Sequence, residues 1–139
     1  MRKYCTYYIK QIHDYVEKRA NNELRKNDLT LAQATVLMLL SSDSEKQLAL
    51  KAIEHELGVA QSTTVGIVGR LEQKGFVRKL DSPDDKRVKV VQITQEGLAS
   101  CSNIAVDMDE GVEFLLQGLT EEERTILDQL LQRVCKNLE

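Results

Sequence analysis

The sequence predicts a mainly α-helical fold that carries one small β-hairpin. Three observations predict it. Apolar residues recur at helical spacing through most of the chain. Two short runs rich in β-branched residues, FVRKL and VKVVQIT, flank the turn DSPDD. One proline in 139 residues argues against a linker-rich or disordered protein.

Residues 5–26 read as a first helix, with Tyr8, Ile9, Ile12, Tyr15, Val16 and Ala20 at helical spacing. Asp28 or Thr30 then offers an N-cap to a second helix over 31–41, LAQATVLMLLS, apolar enough to be largely buried. SDSEKQ reads as a polar loop. A short helix over 49–57 places Ala49, Ile53 and Leu57 on one face, and Gly58 ends it. After the tight connection VAQS, a helix runs from about Ser62 to Lys74, where Gly75 stops it. Its buried face is Thr64, Ile67, Val68 and Leu71, spaced i, i+3, i+4, i+7. The hairpin follows. A helix is predicted from about Gln95 to Gln117, with Leu98, Ile104, Ala105, Met108, Val112 and Leu115 apolar. In the last helix, 121–138, Thr120 and Glu123 form a capping box, and Ile126, Leu127, Leu130, Leu131, Val134 and Leu138 form an apolar stripe.

The order is thus four helices, a hairpin and two helices: a helix–turn–helix followed by a two-stranded wing. Aromatics are 4% and tryptophan is absent, so Leu, Val and Ile must fill the core. No apolar run of about 18 residues suggests a membrane span. The first twenty residues are too polar for a signal peptide. Three widely spaced cysteines make no disulfide framework, and a reducing cytoplasm is the expected compartment.

The net charge of −3 hides a strong asymmetry. Residues 1–45 sum to +1, residues 46–90 to +3 and residues 91–139 to −7. Charge acts over a screening length of about 8 Å at physiological salt, so the middle third can face a polyanion while the acidic tail points elsewhere.

That middle third has the parts DNA recognition needs. The face of 61–74 opposite the core carries Gln61, Ser62, Thr63, Val65, Gly66 and Arg70, whose groups suit phosphates, base edges and a thymine methyl. Gly66 and Gly69 each cost about 1 kcal/mol relative to Ala inside a helix, which close approach of a sugar–phosphate backbone or of a packed neighbour would explain. At the wing, Lys86 and Arg87 can reach over the backbone, Arg87 into a minor groove. Asp85, two residues earlier, can pair with Arg87 and orient it, and Lys79 and Lys89 are further phosphate partners.

The run GRLEQKGFVRKLDSPDDKRVKVVQITQEG resembles the signature of the MarR family of bacterial transcription regulators. Leu71 to Gly75 match its Leu-x-x-x-Gly stretch, Asp85 and Arg87 its Asp-x-Arg wing motif, and Ile93, Thr94 and Gly97 its Leu-Thr-x-x-Gly segment. LTEEERTILDQLL resembles the start of the family's last helix. The chain departs from the family at Gly66 and Gly69, where larger polar or charged residues are frequent, and at Ser82, where Asp is common. The resemblance implies a cytoplasmic homodimer without cofactor. Residues 1–30 and 95–139 would be dimerisation helices and 31–94 a winged helix–turn–helix reading double-stranded DNA at a pseudo-palindromic operator. It also implies a repressor, relieved by a small aromatic or phenolic effector. The apolar surface of the terminal helices, more than a lone chain covers, points to an interface independently.

Other family members respond to cysteine oxidation or metals. Cys5 lies among Tyr4, Tyr7 and Tyr8 near Arg2 and Lys3, either as a reactive thiol or as an inert one. Cys101 and Cys135 read as core or interface residues. His13 and Asp14 form no cluster at ligand spacing, so no metal is expected, and His55 reads as a surface group or a phosphate neighbour. An enzyme is excluded for want of a phosphate loop, a nucleophile–base pair or paired carboxylates. An adaptor built on a winged domain would not require the basic middle third.

Overall fold

The computed structural model describes residues 4–139. Its elements run α1 (Cys5–Lys26), α2 (Leu31–Ser42), β1 (Gln47–Ala49), α3 (Leu50–Leu57), α4 (Gln61–Gln73), β2 (Val77–Asp81), β3 (Lys89–Ile93), α5 (Gln95–Leu115) and α6 (Glu121–Lys136). The chain is mainly α, with the helix–turn–helix and wing expected from the pattern.

One element is a correction. SDSEKQ does not run as a loop into a helix at Ala49. Gln47–Ala49 form a strand, and the sheet is three-stranded and antiparallel, in the order β1-β3-β2. Val91 pairs with Leu48 on one side and Lys79 on the other. Lys46, at φ 60°, turns the chain into β1, and its ammonium donates to the Ser41 carbonyl. A three-residue strand has no periodicity of its own; its pairing with β3 creates it.

Caps set the helix starts. Thr30, not Asp28, caps α2: its hydroxyl accepts from Gln33 N at 3.2 Å, and the Gln33 carboxamide accepts from Thr30 N at 3.2 Å. Asp28 instead takes the left-handed conformation, φ 54°, that turns the chain after α1. The expected Thr120–Glu123 box is present at α6. Gly58 (φ 65°) and Gly75 (φ 80°) end α3 and α4 in a region other residues rarely adopt.

The core lies in the middle of the chain. Val36, Leu37, Leu40, Ile53, Val68, Leu71 and Val91 are fully buried, joined by Leu24, Leu29, Val77 and Ile93. The terminal helices contribute little to it. α6 buries no residue, and in α5 only Gly97, Ser100 and Gly111 are buried. The stripe of α6 is exposed at Ile126, Leu130, Leu131 and Val134, as are Leu138 just beyond it and Tyr8, Ile9, Ile12 and Val16 of α1. Cys135 is likewise exposed within one chain rather than in a core, while Cys101 packs against the core edge.

Candidate nucleic-acid interface

α4 rests on the core through Thr64, Val68 and Leu71, all fully buried, and the Thr64 hydroxyl donates to the Ala60 carbonyl at 3.2 Å. The opposite face is therefore turned outward. Gln61, Ser62, Thr63, Val65, Gly66 and Arg70 are all exposed on it. Ile67, expected inside, is half-buried at the edge. Arg70 has no hydrogen-bond or ion-pair partner for its guanidinium among the described residues.

The wing leaves the end of α4 and is tied back to it, since the Glu72 carboxylate accepts from Lys79 N at 3.2 Å. At its tip the Asp85 carboxylate accepts from Arg87 N at 2.9 Å, from Arg87 Nε at 3.1 Å and from Arg87 Nη2 at 3.2 Å. The Arg87 guanidinium and then its backbone N–H hold the Asp85 carboxyl below the ordinary aspartate range. Three bonds from one neighbour restrict where the guanidinium points, yet the Arg87 side chain is 91% exposed. Lys86 projects beside it, also exposed. Lys89, expected at a phosphate, is ion-paired across the hairpin with Asp81.

The base of the wing is locked by the Thr-x-x-Gly segment. The Thr94 hydroxyl donates to the Gly75 carbonyl at 2.6 Å and accepts from Gly97 N at 3.2 Å, while Thr94 N donates to the Phe76 carbonyl at 3.0 Å. One residue thus closes the turn after α4 and caps α5.

Some residues beside this face had no sequence signal. Lys74 donates to the Asp28 carbonyl and, at 2.9 Å, to Gln33 Oε1. It pins the end of α4 to the start of α2, a pairing across 41 residues that no local spacing reveals.

The sensing candidates fall elsewhere. Arg19 of α1 reaches Asp107 of α5 at 3.0 and 3.3 Å and the Tyr15 hydroxyl at 3.1 Å. Around it lies a cavity of about 70 Å³ lined by Tyr15, Val16, Ala20, Met108 and Val112. That is about half the roughly 150 Å³ of a cavity that takes up benzene, so an aromatic ring enters only if the helices part. Burial raises the Cys101 thiol above its ordinary range. Cys5 is exposed, and Arg2 and Lys3 lie outside the described residues. His13 does have a carboxylate group around it: with Asp14 and Glu17 its ligand atoms fall within 4.8 Å, all exposed. His13 pairs there with Glu17 at 3.3 Å and Asp14 with Lys10 at 2.7 Å. His55 is exposed. Among the described residues no helix is long and apolar enough to cross a membrane.

Comparison with known proteins agrees with this architecture. Residues 29–89 match the model of the MarR family. The chain is 29% identical to the HTH-type transcriptional repressor IacR of Pseudomonas putida over 133 residues, 96% of this chain and 78% of IacR. The crystal structure of YusO from Bacillus subtilis superposes with a TM-score of 0.85 at 21% identity, over 95% of this chain and 92% of YusO. MepR of S. aureus, in its crystal structure with DNA, superposes with a TM-score of 0.82 at 22% identity, over 96% and 99% of the two chains.

Proposed function

We propose that this chain is a DNA-binding transcription regulator of the MarR family and that it acts as a homodimeric repressor, a reading supported by the family match over residues 29–89 and by the likeness to IacR. Two copies bind a pseudo-palindromic operator. Gln61, Ser62, Thr63, Val65, Gly66 and Arg70 of α4 enter the major groove, and Lys86 and Arg87 of the wing reach the flanking backbone and minor groove, with Asp85 as orienter. Residues 31–94 supply the reading head. Residues 1–30 and 95–139 supply the dimer contact, which the exposed apolar faces of α1, α5 and α6 favour. A small aromatic or phenolic effector relieves repression by prising apart the helices around the Arg19–Asp107 pair.

One observation carries this reading. The same packing that buries Thr64, Val68 and Leu71 turns all six α4 candidates outward, and the nearby wing offers an arginine that is oriented yet exposed. The name of IacR, a transcriptional repressor, favours repression here. The experiment is footprinting on DNA bordering the protein's own coding region. The expected result is two protected half-sites about one helical turn apart, 10–10.5 base pairs. A single half-site, or no protection at any protein concentration, overturns the dimeric reading head.

A further inference from the structure

Gly66 has no reason within its own chain to be glycine. Its backbone is ordinary helix, and a Cβ built there meets nothing within 4 Å. Glycine inside a helix costs about 1 kcal/mol relative to alanine. What that glycine leaves open is a cleft of about 240 Å³ between α4 and the start of α2, lined by Thr30, Gln33, Thr63, Gly66, Ile67 and Arg70.

The lining of this cleft is rich in donors without acceptors. Gln33 is only 4% exposed. Its Oε1 accepts from Thr30 N at 3.2 Å and from Lys74 Nζ at 2.9 Å, which fixes the carboxamide by chemistry, because both partners are donors. The Nε2 amide is therefore the end left without an acceptor among the described residues. The Thr30 hydroxyl accepts from Gln33 N and has its own proton to give. The Thr63 hydroxyl and the Arg70 guanidinium have no partner among the described residues. The amide of an otherwise buried glutamine, two hydroxyls and a guanidinium around one opening, with no carboxylate among the lining residues, suit an oxyanion.

We propose that this cleft seats one phosphodiester of the DNA backbone, received by Gln33 Nε2, the Thr30 and Thr63 hydroxyls and Arg70, and that Gly66 keeps it open. The proposal rests on the DNA-binding reading above and sharpens it. Arg70 then positions the protein on the backbone rather than reading a base, and α4 lies so close to the backbone that residue 66 has no room for a side chain once DNA is bound.

The test compares wild type, Arg70→Gln, Gly66→Leu and Arg87→Ala on a random-sequence duplex across a salt series, with thermal midpoints measured alongside. Arg70→Gln lowers the magnitude of the slope of log K against log salt by about 0.9 for each subunit engaged. Gly66→Leu lowers the slope similarly while its thermal midpoint stays level or rises, because leucine is the better helix former and the space is free in the unbound protein. An unchanged slope in both variants, with the Arg87→Ala slope reduced, overturns the seat and leaves the DNA-binding reading standing. An Arg70→Gln protein that keeps its slope but loses discrimination between duplexes of different sequence overturns it in favour of base reading. Failure of the wild type to bind any duplex removes the reading on which the seat rests.

Discussion

Gly97 stands against Phe76 so closely that any side chain at 97 would strike the Phe76 carbonyl oxygen. A Cβ there would also lie 2.7 Å from Ile93 Cγ1. The helix that leaves the wing crosses the wing's own base at this point, and only the absence of a Cβ lets it pass. Gly97→Ala therefore costs about 1–3 kcal/mol, the range for forcing extra volume into a packed site. Urea denaturation checks this. A variant as stable as wild type would show that α5 can shift away from β3 freely.

Thr94 couples the same junction through hydrogen bonds. Thr94→Val keeps the shape and removes both the N-cap of α5 and the donor to Gly75. The expected loss is about 1–2 kcal/mol, read by the same denaturation. Thr94→Ser should recover most of it, because the hydroxyl rather than the methyl makes both bonds.

On the proposed reading, the Asp85–Arg87 pair orients the arginine and does not stabilise the fold. It sits at the surface, where ion pairs add little to folding. Asp85→Ala is expected to weaken DNA binding, measured by fluorescence anisotropy, without moving the thermal midpoint. The pair also has a pH signature. The folded-state pKa of Asp85 is depressed, so the pairing is complete above the unfolded value of about 3.9 and is lost as pH falls through the lower folded value. A carboxyl-carbon NMR titration should place the Asp85 midpoint below 3.9 in wild type and restore it in Arg87→Ala. Equal midpoints in the two proteins would mean that Arg87 is not held in solution.

The exposed stripe of α6 makes the proposed dimer testable apart from DNA. Leu130 and Leu131 are about half exposed and touch no core, so a charge there does not disturb the folded chain itself. By sedimentation at micromolar concentration, wild type is expected as a dimer and Leu130→Glu as a helical monomer. A variant that stays dimeric would move the interface off this face.

Much of this molecule is legible in local spacing. The i, i+3, i+4, i+7 rows announce α4 and α6, Thr120 with Glu123 announces a helix start, and Gly58 and Gly75 mark two helix ends at positive φ. The Asp85–Arg87 pair spans two residues, so it too is written in order along the chain. These features are short-range, and their geometry follows from the backbone of a few consecutive residues.

What only the tertiary structure decided involves residues far apart. β1 exists because Gln47–Ala49 pair with β3, which arrives some forty residues later. The donors around the cleft meet because Lys74 is pinned to Gln33 across 41 residues, and Arg19 finds Asp107 across 88. Closing such loops costs chain entropy that local propensity does not repay; burying Leu37, Leu71 and Val91 together does. Whether Gly66 and Gly97 needed to be glycine was settled only then: one faces open space and the other a carbonyl, a difference that no pattern of neighbours in sequence contains.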